Sequence, residues 1–137
     1  MPEIIATPPS VLLVDDYPDT LEMWALYLRA RGYRVSTATD GNEALRMASE
    51  ERPNVVILDL DLPGMSGYEA AKRLKSGTDT SAIPLIAATG YLSDTQTDAA
   101  RQAGFASVLI KPCDPPTLVS EIERVLAAGG SPAIGHS

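Results

Sequence analysis

Two kinds of hydrophobic pattern alternate along the chain. Short runs that are almost wholly apolar predict strands buried on both faces, as in a parallel sheet. Between them lie longer segments whose apolar residues recur every three or four positions, which predicts helices with one face against a sheet. The predicted strands are Val11–Val14, Tyr33–Thr37, Val55–Leu58, Ile83–Ala88 and Ser107–Ile110.

The segments between these strands also carry helix start and stop signals. Pro18 suits a first helical turn, and Gly32 suits the end of the same helix. Asp114-Pro115 opens the last helix, and capping patterns open the other three at Asp40, Ser66 and Ser93. Five strands alternating with five helices on short loops predict a doubly wound α/β fold, with helices on both faces of a mostly parallel sheet.

Length and composition fit a single domain. A chain of 137 residues, 45% of them hydrophobic, is long enough for one sizeable core. We expect the folded domain over residues 10–128. A flexible proline-rich arm would precede it at 1–9, and a flexible tail rich in Gly, Pro and Ser would follow at 129–137.

Charge and residue counts exclude several classes of function. A net charge of −7 argues against nucleic acid as a partner of this chain, because phosphate binding needs clustered Lys and Arg. No apolar run reaches the length of a membrane span, and no signal-peptide pattern opens the chain. The single cysteine, Cys113, excludes an internal disulfide and suits a reducing cytoplasm. The single histidine, His136, argues against histidine-based catalysis.

Polar side chains that can carry chemistry follow four of the strands. Asp15 and Asp16 follow the first, Asp59 the third, Thr89 the fourth and Lys111 the fifth. Each aspartate alone could equally cap a helix. Because the carboxyl ends of parallel strands meet at one edge of a doubly wound sheet, we expect all five residues in one cleft. Oxygen ligands without His or Cys favour Mg²⁺, and the ammonium and hydroxyl suit a phosphoryl group beside it.

At these positions the chain resembles the receiver domain of two-component response regulators. The resemblance extends from Val11 to Leu126 and rests on four motifs in the right order at the right strand ends. It implies a flavodoxin-like sheet of five parallel strands in the order 2-1-3-4-5. The motifs are Val14-Asp15-Asp16, the segment from Leu58 to Gly67, Ala88-Thr89-Gly90 and Lys111-Pro112.

The resemblance assigns the aspartates to phosphorylation and metal binding. It implies that Asp59 accepts a phosphoryl group from a phosphohistidine of a sensor histidine kinase or a histidine phosphotransfer protein. It also implies that Asp16 and Asp59 bind Mg²⁺ directly and that the backbone carbonyl of Asp61 is a further ligand. Asp15 would act mainly through water.

Lys111 and Thr89 complete the implied site. Lys111 would hold a phosphoryl oxygen, and Thr89 would move toward the phosphate and report its presence. The implied protein is a cytoplasmic signalling module that promotes only its own aspartyl phosphorylation and dephosphorylation and contacts a downstream protein. Since no output domain is recognisable, we expect a stand-alone receiver, a phosphorelay intermediate or a part of a larger regulator or hybrid kinase.

The chain departs from the usual receiver pattern near the fourth and fifth strands. Val108 stands where many receivers have an aromatic residue that turns inward when the threonine moves, and valine is short and stiff. We therefore predict that phosphorylation shifts the helix at 93–103 less than in typical receivers. Gly90 replaces the usual alanine and should loosen its loop, while Tyr91 could gate water at the cleft or contact a partner.

Two alternative functions remain open on the sequence. A degenerate receiver would bind proteins independently of phosphorylation; Val108 favours this, whereas the intact acidic cluster with Thr89 and Lys111 opposes it. Asp59-Leu60-Asp61 also resembles the start of the Asp-x-Asp-x-Thr motif of haloacid-dehalogenase-like phosphatases. However, Pro63 occupies the threonine position, and the motif follows the third strand instead of the first. Turnover of a small phosphomonoester would separate a phosphatase of this kind from a receiver domain.

Overall fold

Five strands and five helices alternate along the residues that the computed structural model describes, 8–90 and 93–128. The strands are β1 (Ser10–Val14), β2 (Arg34–Ala38), β3 (Val55–Asp59), β4 (Leu85–Thr89) and β5 (Ser107–Ile110). The helices are α1 (Pro18–Ala30), α2 (Gly41–Glu51), α3 (Gly67–Ser76), α4 (Asp94–Ala103) and α5 (Pro115–Ala127). Tyr91, most of the predicted arm and the predicted tail lie outside the described residues.

The sheet confirms the predicted doubly wound fold. All four strand pairs are parallel, and the strand order is β2-β1-β3-β4-β5. The direction of winding reverses between β1 and β3, and in such sheets the crevice for a ligand lies at the carboxyl ends of those two strands. Within the described ranges, no helix is both long and apolar enough to cross a membrane.

The central strands are buried on both faces, which explains their uninterrupted apolar runs. In β1, Leu12 and Val14 belong to the core cluster covered by α2, α3 and α4. Val11 and Leu13 belong to the opposite cluster, which α1 and α5 cover. Successive side chains of a strand point to opposite faces, so neither face of such a strand has room for a polar residue. The first position open to a polar side chain is therefore the strand end.

Some element boundaries differ from the predicted ones for local reasons. β4 begins at Leu85 and not at Ile83, because the N–H of Ile83 donates to the carbonyl oxygen of Thr80 in the preceding turn. β2 begins after Tyr33, whose N–H is bonded to the carbonyl oxygen of Leu28 at the end of α1.

The predicted helix caps are present, although their details differ. The side chains of four capping residues each accept the backbone N–H three positions later: Asp40, Ser66, Ser93 and Asp114. Among the helices described, α4 has the complete reciprocal box, in which Gln96 accepts the N–H of Ser93. In α2 the corresponding glutamate, Glu43, accepts the N–H of Thr39 instead.

Candidate functional site

Three carboxylates lie together at the carboxyl edge of the sheet. Val14 of β1 is in register with Leu58 of β3, so the residues that follow them, Asp15 and Asp59, are side by side. Asp15, Asp16 and Asp59 each offer an oxygen within 4.8 Å of the others. Asp15 and Asp59 are buried and Asp16 is exposed, so the cluster opens to solvent at Asp16.

Lys111 reaches the same cluster from the end of β5. Its Nζ lies 2.7 Å from Oδ2 of Asp15 and 3.4 Å from Oδ2 of Asp59. Thr89 of β4 is in register with Ile110, and its carbonyl oxygen accepts the N–H of Lys111 at 2.7 Å. Thr89 is itself buried at the strand end. The structure thus brings an ammonium to the acidic cluster and ties its backbone to the neighbouring threonine.

The loop after β3 positions the Asp59 carboxylate. The N–H of Asp61 donates to Oδ1 of Asp59 at 3.0 Å, while the side chain of Asp61 is exposed. The loop then returns to the strand, because the N–H of Gly67 donates to the carbonyl oxygen of Leu60 at 3.0 Å. A Cβ atom on Gly67 would lie 2.2 Å from the carbonyl oxygen of Asp59, so this close approach requires glycine.

The electrostatic environment separates Asp59 from an ordinary aspartate. Burial raises its pKa, and the charge of Asp15 raises it further, against the lowering effects of the Asp61 N–H and of Lys111. For Lys111, burial lowers the pKa, but the hydrogen bonds and charges of Asp15 and Asp59 together outweigh it, and the net pKa is raised. Lys111 is therefore a firmly protonated cation, and Asp59 is a carboxylate whose charge is only partly compensated.

The donor set fits a hard divalent cation. Three carboxylates supply oxygen ligands only, and Mg²⁺ commonly takes one or two carboxylates together with water and phosphate oxygens. Lys111 contributes one positive charge against these three negative groups. A divalent cation at the open side near Asp16 would balance the remainder.

The sequence patterns did not predict an apolar depression beside Lys111. Its volume is about 390 Å³, and two side chains of α1 and the preceding loop stand at its exposed rim, Tyr17 and Met23. Trp24 is buried there and donates its Nε1–H to the carbonyl oxygen of Cys113 at 3.3 Å. Helical periodicity identifies the buried face of α1, but it carries no signal for apolar residues on the outer face.

Of the positions at which the chain departs from the usual receiver pattern, the structure describes Val108 and Gly90. Val108 is half-buried on β5 and packs against the core cluster that α2, α3 and α4 cover. Tyr68 of α3 packs against the same cluster. Gly90 is exposed, and a Cβ atom there would meet no atom within 4 Å.

Fold and site together define a doubly wound α/β domain with a cluster of three carboxylates at its switch point. A family profile described as the response regulator receiver domain matches residues 11–123. The chain belongs to this family, the receiver domains of two-component systems. It is 34% identical over 117 residues to the protein PilH of Pseudomonas aeruginosa, covering 85% of this chain and 97% of PilH. The transcriptional regulatory protein PrrA of Mycobacterium bovis is 34% identical over 131 residues, covering 96% of this chain but only 55% of PrrA.

Solved structures show the same fold. The chemotaxis response regulator CheY4 of Vibrio cholerae matches with a TM-score of 0.83 and 34% identity, over 87% of this chain and 99% of that one. The receiver domain of the sensor histidine kinase PA1611 from Pseudomonas aeruginosa matches with a TM-score of 0.81 and 29% identity, over 88% and 98%. That crystal structure has a magnesium ion coordinated in its active site cleft.

Proposed function

We propose that this receiver domain accepts a phosphoryl group on Asp59 and signals through protein contacts that depend on the phosphate. One observation carries the proposal. Asp59 is buried, shares a cluster with Asp15 and Asp16 within 4.8 Å, and has the Nζ of Lys111 at 3.4 Å. Membership of the receiver family supports the same function, because receiver domains interact with histidine kinases or phosphotransfer proteins.

Asp59 is the nucleophile in this proposal. The Asp61 N–H donates to Oδ1 at 3.0 Å, and Lys111 lies 3.4 Å from Oδ2, so we assign Oδ2, which has the longer contact, as the attacking atom. As the new O–P bond forms, the P–N bond to the donor histidine breaks. The electron pair of that bond leaves with the imidazole, which takes up a proton. The product is an aspartyl phosphate on the protein and a free histidine on the donor.

Lys111 and Thr89 receive the transferred group. The Lys111 ammonium already lies within hydrogen-bonding distance of both buried carboxylates, so a small shift brings it to a phosphoryl oxygen. The Thr89 hydroxyl at the adjacent strand end is the second group that we assign to phosphate recognition. Its movement toward the phosphate would report phosphorylation to the loop after β4.

The same cluster would hold Mg²⁺. We assign Asp16 and Asp59 as direct ligands, the backbone carbonyl of Asp61 as a further ligand, and Asp15 as a group acting mainly through water. When bound, the ion supplies positive charge to the phosphoryl oxygens and orients the group for transfer. The exposure of Asp16 supports this arrangement, since it leaves the open side of the cluster to an ion and its water.

The biological setting follows from the same assignment. We infer a phosphohistidine donor on a histidine kinase or phosphotransfer protein, a downstream protein as target, and a cytoplasmic location. We also infer a receiver domain over residues 10–128. The domain promotes only its own phosphorylation and dephosphorylation and has no separate substrate.

Intact-mass measurement tests the proposal directly. The wild type is incubated with Mg²⁺ and either acetyl phosphate or phosphoramidate, whose P–N bond resembles that of phosphohistidine. We expect a gain of one phosphoryl group in the wild type, and none in Asp59→Asn or without Mg²⁺. Asp61→Asn is the matched control, because it keeps the backbone carbonyl and should be phosphorylated normally. A mass gain that survives Asp59→Asn would remove Asp59 from the site.

Val108 favours one other function, that of a receiver whose partner contacts do not depend on phosphorylation. The same measurement separates the two functions, because a domain of that kind would gain no phosphoryl group under any of these conditions. Family membership and the position of Asp59 on the third strand set the phosphatase alternative aside.

A further inference from the structure

The Tyr68 hydroxyl is the buried side-chain oxygen without a hydrogen-bond partner in the described part of the chain. The residue as a whole is half-buried and lines a shallow depression on the outside of α3, although its hydroxyl is buried. The hydroxyl therefore points inward, away from water. Buried polar groups are nearly always paired, so an unpaired one in a native protein calls for an explanation in terms of a second state or a ligand.

The position of Tyr68 on α3 shows which part of α4 lies beside this residue. Seven residues later on the same helix face, Lys75 packs against Gly104, which ends α4: a Cβ atom on Gly104 would lie 2.7 Å from Cγ of Lys75. α3 and α4 follow the adjacent parallel strands β3 and β4, so they run side by side in the same direction. Tyr68, two turns before Lys75, therefore lies beside the start of α4.

The packing of the ring agrees with this position. Tyr68 packs against the core cluster that contains Ala87 of β4 and Ala100 of α4, and Val108 of β5 packs against the same cluster. The buried residues that α4 itself contributes to this cluster, Ala100 and Ala103, are small. Asp61 lies close enough for its charge to raise the pKa of Tyr68, in addition to burial, which has the larger effect.

Tyr68 also directly follows the residue that joins α3 to the end of β3. This residue is Gly67, whose N–H bonds to Leu60 and whose Cα leaves no space for a side chain against Asp59. We therefore expect a displacement of the Asp59 loop to reach the first turn of α3.

We propose that Tyr68 is the aromatic reporter of this receiver: its unpaired hydroxyl gains a hydrogen bond with the start of α4 when Asp59 carries a phosphoryl group. The inference rests on the proposed function. An aromatic residue of α3 would then respond to phosphorylation in this chain, in which β5 has Val108 at the position that is aromatic in many receivers.

Population shift gives the consequence in measurable terms. In the resting state the hydroxyl is a buried group that lacks a bond, so Tyr68→Phe should not destabilise that state. In the phosphorylated state the same substitution removes a bond. A ligand shifts an equilibrium only by its difference in affinity for the two states, so the variant should bind a phosphoryl analogue more weakly. If the hydroxyl gained no bond on phosphorylation, Tyr68→Phe would leave the affinity for the phosphoryl analogue unchanged.

Calorimetric titration with beryllium fluoride and Mg²⁺ is the first test. We expect Tyr68→Phe to bind roughly three- to tenfold more weakly than the wild type, the range that one hydrogen bond gives, with no loss of stability in the absence of ligand. Tyr33→Phe is the matched control, because Tyr33 packs on the opposite face of the sheet and should bind as the wild type does. Equal affinity of Tyr68→Phe and wild type would overturn the inference.

A spectroscopic test measures the hydroxyl itself. Protein labelled with ¹³C at the tyrosine ζ carbon gives a Tyr68 signal that Tyr68→Phe identifies. We expect this signal to shift on addition of beryllium fluoride and Mg²⁺. If Asp59 is phosphorylated but the Tyr68 signal does not move, the inference fails and the proposed function stands. If the wild type gains no phosphoryl group, both fail.

Discussion

Replacing Gly67 by alanine should destabilise the domain and disturb the site at the same time. The new Cβ atom would lie 2.2 Å from the carbonyl oxygen of Asp59 and 2.7 Å from Cα of Leu60. Both neighbours are backbone atoms that a side-chain rotation cannot remove. Ordinary contact is about 3.5 Å, so α3 or the strand end has to move by about 1 Å.

The magnitude follows from two opposing effects. Alanine in place of glycine in a helix gains about 0.5–1 kcal/mol. Overpacking against a fixed neighbour typically costs about 1–3 kcal/mol, and occasionally more. Because this clash involves backbone on both sides, we expect the upper end, a net loss of about 2 kcal/mol or more in the free energy of unfolding.

Urea denaturation of three alanine variants tests this reasoning. Gly90→Ala should be close to neutral, since no atom lies within 4 Å of its Cβ position. Gly64→Ala has equal space but a φ of 79°, so it should cost about 1–2 kcal/mol. Gly67→Ala should cost the most and should also slow phosphorylation by acetyl phosphate. If Gly67→Ala were no less stable than Gly64→Ala, the close approach of α3 to Asp59 would be refuted.

Four further outcomes are expected. Burial raises the pKa of Asp59, so its ionisation opposes folding; Asp59→Asn should be more stable than wild type at pH 7 in urea denaturation, and equal stability would contradict this. The gain should disappear as the pH falls toward about 4, where an unfolded aspartate becomes protonated. The hydrogen bond from Arg124 lowers the pKa of Glu121, so Glu121→Gln should be less stable above about pH 4 by at most about 1 kcal/mol, and the difference should vanish at lower pH. Burial raises the pKa of the Cys113 thiol, so iodoacetamide should modify it far more slowly in the native than in the urea-unfolded protein. Amide hydrogen exchange should change little over α4 on phosphorylation, and large deprotection there would contradict the role given to Val108.

The sequence carried much of the fold because the central strands are buried on both faces. Their apolar runs end abruptly at polar residues, so Asp15 and Asp59 could be placed at strand ends from the pattern alone. Their adjacency required the strand order, and the equally apolar runs of β1, β3 and β4 do not encode which strands are neighbours. That order came from the resemblance to receivers.

Other features depend on geometry that no periodic pattern records. The unpaired hydroxyl of Tyr68 became visible only from the packing of α3 beside α4. The depression beside Lys111 is lined in part by Met23, which lies on the outer face of α1. Helical periodicity identifies only the buried face, so it gives no sign of this residue's role. The start of β4 depends on a turn bond between Thr80 and Ile83.

The uneven pairing of Lys111 supports the proposal that Asp59 is the reactive member of the cluster. The ammonium lies 2.7 Å from Asp15 but 3.4 Å from Asp59, so Asp15 receives the stronger compensation. Asp59 is left buried, beside a second carboxylate, with a raised pKa. The negative charge of Asp59 is therefore incompletely compensated in the unphosphorylated domain. A bound cation, or a shift of Lys111 toward a phosphoryl group on Asp59, would supply the missing positive charge. Replacing Lys111 by methionine should remove the compensation of both carboxylates, so the variant should lose phosphorylation although Asp59 and its loop remain in place.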